Sequence, residues 1–133
     1  MKGQSSIEFL SMVSISMILL AGLTTVMAAK QQDTADYRAT NNAELVAEKV
    51  SFQLEMALVQ GEGYSRVFTL PGGIAGENYT VELGNGGADV RWGEDSLYRL
   101  SRYQGEDMSI SVNGENRVFR VKHNQSGVFL DET

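Results

Sequence analysis

The sequence predicts an α+β fold, in which a long N-terminal hydrophobic helix forms a stalk and its C-terminal half packs on a small antiparallel β head. Three observations predict it. No charged residue occurs from Phe9 to Ala29, helix-compatible residues run on without Pro or Gly from Lys30 to Gln60, and twelve of the fourteen Gly lie beyond Val59. The expected organisation is a leader at 1–3, a helix over 4–60 and a β head over 61–133.

The apolar segment spans 7–29, and Glu8 is its only charge. About 20 apolar residues suffice for a helix to cross the hydrocarbon core of a membrane, so this stretch is read as membrane-spanning. Gly22, beside Thr24 and Thr25, is its one soft spot. Ser11, Ser14 and Ser16 alternate with Met12, Met17 and Met27, a composition that suits helices packing closely on helices. A plain lipid-facing anchor tolerates the same residues.

Beyond Lys30 the chain becomes polar while Ala39, Ala43, Val46, Val50, Leu54, Ala57 and Leu58 recur every three or four positions. That is the stripe of an amphipathic helix. The pattern is weakest over Gln31–Asn42, where a loose turn is expected. If unbroken, the helix from Gln4 to Gln60 extends about 85 Å at 1.5 Å per residue. Gly61-Glu62-Gly63 ends it.

From Tyr64 the period shortens. Seven runs (Ser65–Leu70, Tyr79–Leu83, Ala88–Trp92, Leu97–Ser101, Met108–Val112, Val118–His123 and Val128–Leu130) read as strands separated by turn residues. Asn85-Gly86 and Asn113-Gly114 are the best hairpin signals. Phe68, Tyr79, Trp92, Tyr98, Phe119 and Phe129 need cover, and the helical stripe is the available partner for the sheet.

Composition excludes several chemistries. The chain is 42% hydrophobic and 21% charged, with no Cys, so thiolate metal sites, iron–sulfur clusters, disulfide scaffolds and cysteine nucleophiles are absent. His123 is the only imidazole, no Gly-x-Ser-x-Gly elbow occurs, and His123 reads as an ordinary strand-end residue. The glycine-rich stretches Leu70–Gly76 and Gly84–Gly87 lack the Lys-Ser/Thr of a phosphate loop and read as turns. Pairs such as Glu94-Asp95, Glu106-Asp107 and Asp131-Glu132 lack calcium-loop spacing, so no metal and no cofactor are expected. A net charge of −6 disfavours nucleic acid. The cations Arg91, Arg99, Arg102, Arg117, Arg120 and Lys122 are interleaved with acids, as on a mixed, solvated sheet face.

The first residues carry a more specific signal. An ordinary secretory signal has a basic start, an apolar core and then a small-residue cleavage site, here Ala21-Gly22 or Ala28-Ala29. Glu8 at the mouth of the apolar run does not fit that scheme, because an acidic side chain there is costly unless it has a partner. Lys2-Gly3-Gln4-Ser5-Ser6-Ile7-Glu8-Phe9 resembles the class III signal peptide of archaeal type IV pilin-like proteins. Met12 departs from that pattern, standing where Leu is more usual.

The resemblance implies a pilin-like fold and cleavage between Gly3 and Gln4 by a prepilin peptidase, which makes Glu8 the fifth mature residue. It further implies a membrane precursor that becomes a subunit of an extracellular adhesive filament, a helical homopolymer. A pilus assembly ATPase and a membrane platform would build it. Glu8 would then act in assembly register, neutralising a neighbour's new N-terminal ammonium; a misplaced subunit would leave a charge unpaired. The simpler reading makes Glu8 an interfacial carboxylate favoured by the helix dipole. Asn78-Tyr79-Thr80 and Asn124-Gln125-Ser126 are N-glycosylation sequons, and the same resemblance makes Asn78 and Asn124 candidate acceptors. No residue is expected to be catalytic. The alternatives are a single-pass anchored extracytoplasmic binding module, a minor pilin-like subunit outside the bulk filament and, last, a tethered hydrolase.

Overall fold

The structure, a computed structural model, describes residues 2–84 and 86–133, with only the backbone described at Lys2. One helix, α1 (Lys2–Gln60), precedes seven strands: β1 (Ser65–Leu70), β2 (Tyr79–Gly84), β3 (Gly87–Trp92), β4 (Asp95–Leu100), β5 (Met108–Val112), β6 (Arg117–Asn124) and β7 (Gly127–Glu132). The fold is α+β, with the helix packed against antiparallel sheets. By its contacts the chain divides into two compact units, Met1–Tyr37 and Arg38–Thr133, and the division falls inside α1.

No loose turn occurs over Gln31–Asn42; the helix is continuous there and at Gly22. Neither stretch contains Pro, so no backbone N–H is missing from the ladder and weak apolar patterning alone does not break it.

In the second unit α1 buries Ala39, Ala43, Val46, Ala47, Val50, Leu54 and Ala57 in a core shared with both sheets. Four of these seven are Ala. Leu58, expected on this stripe, is 41% exposed. It lies one position beyond Ala57 and is therefore rotated about 100° off the buried line.

The helix ends in a left-handed cap. Gly61, at φ 79°, donates its N–H to the Ala57 carbonyl at 3.2 Å. Glycine adopts this conformation without a Cβ clash, and the bond satisfies a carbonyl that the helix leaves without an internal partner.

The strands form two sheets rather than one, in the orders β1-β6-β7 and β4-β3-β2-β5, with every pairing antiparallel. Asn113-Gly114 is not a hairpin turn: β5 pairs with β2, and β6 pairs with β1 and β7. This segment instead carries the chain from one sheet to the other. It runs against the β1–β2 crossing, where Asn116 Oδ1 accepts the Gly72 N–H at 2.8 Å. A Cβ on Gly72 would lie 2.6 Å from the Glu115 carbonyl carbon, so the two crossings meet backbone to backbone. At the other hairpin signal, Asn85 lies outside the described residues; the flanking Gly84 and Gly87 pair directly.

Phe68, Tyr79, Trp92 and Phe119 are buried, as expected. Tyr98 and Phe129 are not: Tyr98 is 59% exposed and Phe129 half-buried. Register explains both, since Tyr98 stands opposite Asp89 and Phe129 opposite Lys122, on the faces turned away from the core.

Candidate functional site

Over residues 3–37 the structure is a helix with almost no burial. Met12 is 72% and Met27 56% exposed, so among the described residues nothing covers the apolar run. Its length and composition are those of a membrane-crossing helix, a description that a signal sequence near an N-terminus also meets.

The hydroxyls within it are satisfied locally. Ser11, Ser14 and Ser16 donate to the carbonyls of Ile7, Leu10 and Met12, each at 2.8 Å, and Thr24 and Thr25 both donate to Ala21. Folded back in this way, polar side chains can face an apolar environment without a lost hydrogen bond.

Gly3 and Gln4 lie in the first turn of α1, where the leading N–H groups have no helical acceptor. Glu8 is exposed and sits one turn beyond Gln4, on the same helix face. Among the described residues Glu8 has no ion-pair partner; the described pair nearest it in sequence is Lys30–Asp33.

In the second unit, Asn78 is exposed just before β2, and its sequon neighbour Tyr79 is buried with its hydroxyl donating to the Pro71 carbonyl at 2.7 Å. Burial pushes the Tyr79 phenol well above its ordinary pKa. Asn124 is exposed at the β6–β7 hairpin, where its Oδ1 accepts the Ser126 N–H at 2.9 Å. The two sequons belong to different sheets and form no common site.

His123 is held at the end of α1. Its Nδ1 lies 2.8 Å from the Ala57 carbonyl oxygen, so Nδ1–H is the donor. Its backbone exchanges bonds with Gly63 and Tyr64. The geometry is that of a helix cap. The acids on the helix flank also have structural partners: Arg99 of β4 reaches Glu44 and Glu48, and Glu55 Oε1 accepts Ser101 Oγ–H and the Arg102 N–H. Among the described residues no group of three or more acidic or imidazole side chains is placed to hold a metal.

One feature escapes the apolar pattern read from the sequence. Leu45, Phe52 and Val59 are 55%, 51% and 80% exposed at seven-residue spacing, forming a second apolar stripe roughly opposite the buried one. That spacing was visible in the sequence, masked by the stronger Ala-rich stripe. Compared with known proteins, the chain matches no family model, no curated protein and no solved structure.

Proposed function

We propose that this chain is a structural subunit of an extracellular, type IV pilus-like filament that serves surface adhesion. The precursor is held in a membrane by residues 7–29 and is trimmed between Gly3 and Gln4. It is then polymerised through its N-terminal helix by an ATPase and a membrane platform.

The observation that carries this reading is a continuous, uncovered apolar helix with a single carboxylate, Glu8, one turn beyond Gln4. Large exposed apolar patches demand a partner. Lipid supplies one before assembly, and other copies of the same helix supply it afterwards. Glu8 then pairs with the ammonium created at a neighbour's Gln4, and Asn78 and Asn124 are carried outward on the head as glycan acceptors.

Electron microscopy of sheared surface fibres, with mass spectrometry of the purified fibre, tests the proposal. The expected result is a thin filament in which this chain is a component. Recovery only from the membrane fraction, with no fibre containing it, overturns it and leaves the single-pass anchored module.

A further inference from the structure

We propose that the outer face of the β4-β3-β2-β5 sheet carries a binding site for a neutral saccharide. The site gives the adhesion part of the function above a ligand class. It rests on that part alone, because every residue involved lies in the head, outside the N-terminal helix through which the filament is proposed to assemble.

The register builds the site. Tyr98 of β4, Asp89 of β3, Glu82 of β2 and Ser109 of β5 stand opposite one another in a single row across all four strands. In the next row Gly84 faces Gly87. The absence of side chains at these two positions lets Tyr98 and Asp107 come down onto the strand backbone. From one edge Tyr98 leans over Gly87: a Cβ there would lie 2.2 Å from the phenol oxygen. From the other edge Asp107 leans over Gly84, where a Cβ would lie 1.9 Å from Oδ1. The resulting groove has a volume of about 430 Å³, the size of a small-ligand site.

Its chemistry selects the ligand. Tyr98, 59% exposed, offers an apolar ring and a hydroxyl. Glu82 and Asp89 both pair with Arg91, at 3.2 and 2.8 Å, so one cation offsets one of their two charges, while oxygen lone pairs remain to accept hydrogen bonds. Among the described residues no three acidic or imidazole side chains are placed together to hold a metal ion. A sugar presents a C–H face to the ring and hydroxyls that donate to Glu82, Asp89 and Asp107 and accept from Ser109 and Tyr98. That alternation of apolar face and neutral donors matches the groove.

The test is calorimetric titration of the full chain in a sugar-free zwitterionic detergent with maltotriose, cellotriose, mannotriose and chitotriose, each run separately, and with butylammonium and calcium chloride as comparisons. At least one trisaccharide should bind. Its affinity should fall by about tenfold or more in Tyr98→Ala and in Asp107→Ala, and stay within about threefold in Tyr98→Phe, which keeps the ring. Near-UV circular dichroism of Trp92 verifies that each variant is folded. The proposal is overturned if no trisaccharide binds, if binding persists unchanged in Tyr98→Ala, or if only butylammonium or calcium binds. Fibre formation reads out separately: no sugar binding by the unsubstituted chain with normal fibres refutes this site alone, and sugar binding without fibres refutes the filament alone.

Discussion

The Nδ1 of His123 sits 2.8 Å from the carbonyl oxygen of Ala57, so a side chain from β6 closes the C-terminus of α1. The same carbonyl accepts the Gly61 N–H. The end of the helix is thereby tied to the sheet by a side chain as well as by the chain that leaves it. Replacing His123 with Ala should lower the stability of the head by about 1–2 kcal/mol, the cost of a part-buried acceptor losing one of its donors. Urea unfolding of the full chain in detergent, followed through Trp92, measures this; Trp92 is the only tryptophan and is buried in the head.

Ser51 makes the opposite prediction. Its hydroxyl is buried with no hydrogen-bond partner among the described residues. Ser51→Ala removes that unpaired group and inserts a better helix former, so it should raise stability by about 0.5–1 kcal/mol. The same urea titration reads the shift, and a loss of stability would show that the hydroxyl has a partner.

Alkali should weaken the head. Burial raises the phenols of Tyr79 and Tyr103, and Glu106 and Asp107 raise Tyr103 further. Above about pH 10, the ordinary tyrosine value, the unfolded chain releases protons that the folded chain retains. The stabilisation is therefore complete below that pH and is lost as pH climbs toward the folded values. The urea midpoint should hold between about pH 8 and 9.5 and then fall, and Tyr79→Phe should flatten that fall.

Glu8→Gln tests the register role. The substituted side chain keeps its size and loses its charge, so membrane insertion should persist while the yield of filaments drops by about tenfold or more, since an N-terminal ammonium is then left unpaired in an apolar core. Immunoblotting of sheared fibres against the membrane fraction measures it. Normal filaments at wild-type yield would reduce Glu8 to an interfacial carboxylate.

Most of the fold was legible because its signals are local. The strands β1 and β5 have the bounds read from alternation, and the others differ by one or two residues at an end. The buried line Ala39–Ala57 follows from helical spacing. What escaped was non-local. Asn113-Gly114 looks like a hairpin turn, and only the pairing of β5 with β2 turns it into a crossing between sheets.

The groove shows the same division. A two-residue connection between β2 and β3 sets Glu82 opposite Asp89, and the Gly93-Glu94 turn sets Asp89 opposite Tyr98. Those relations could be counted along the chain. The arrival of Ser109 and Asp107 from β5 and its approach could not, because it depends on a contact across 27 residues between Glu82 and Ser109.

The most direct test of the central claim is N-terminal sequencing of the chain recovered from the cell surface. A first residue of Gln4 is the predicted result, and it requires cleavage on the short basic leader before the apolar helix. An intact Met1, or a start after Ala29, would contradict it: the first leaves a plain membrane anchor, and the second removes the very helix that the filament needs.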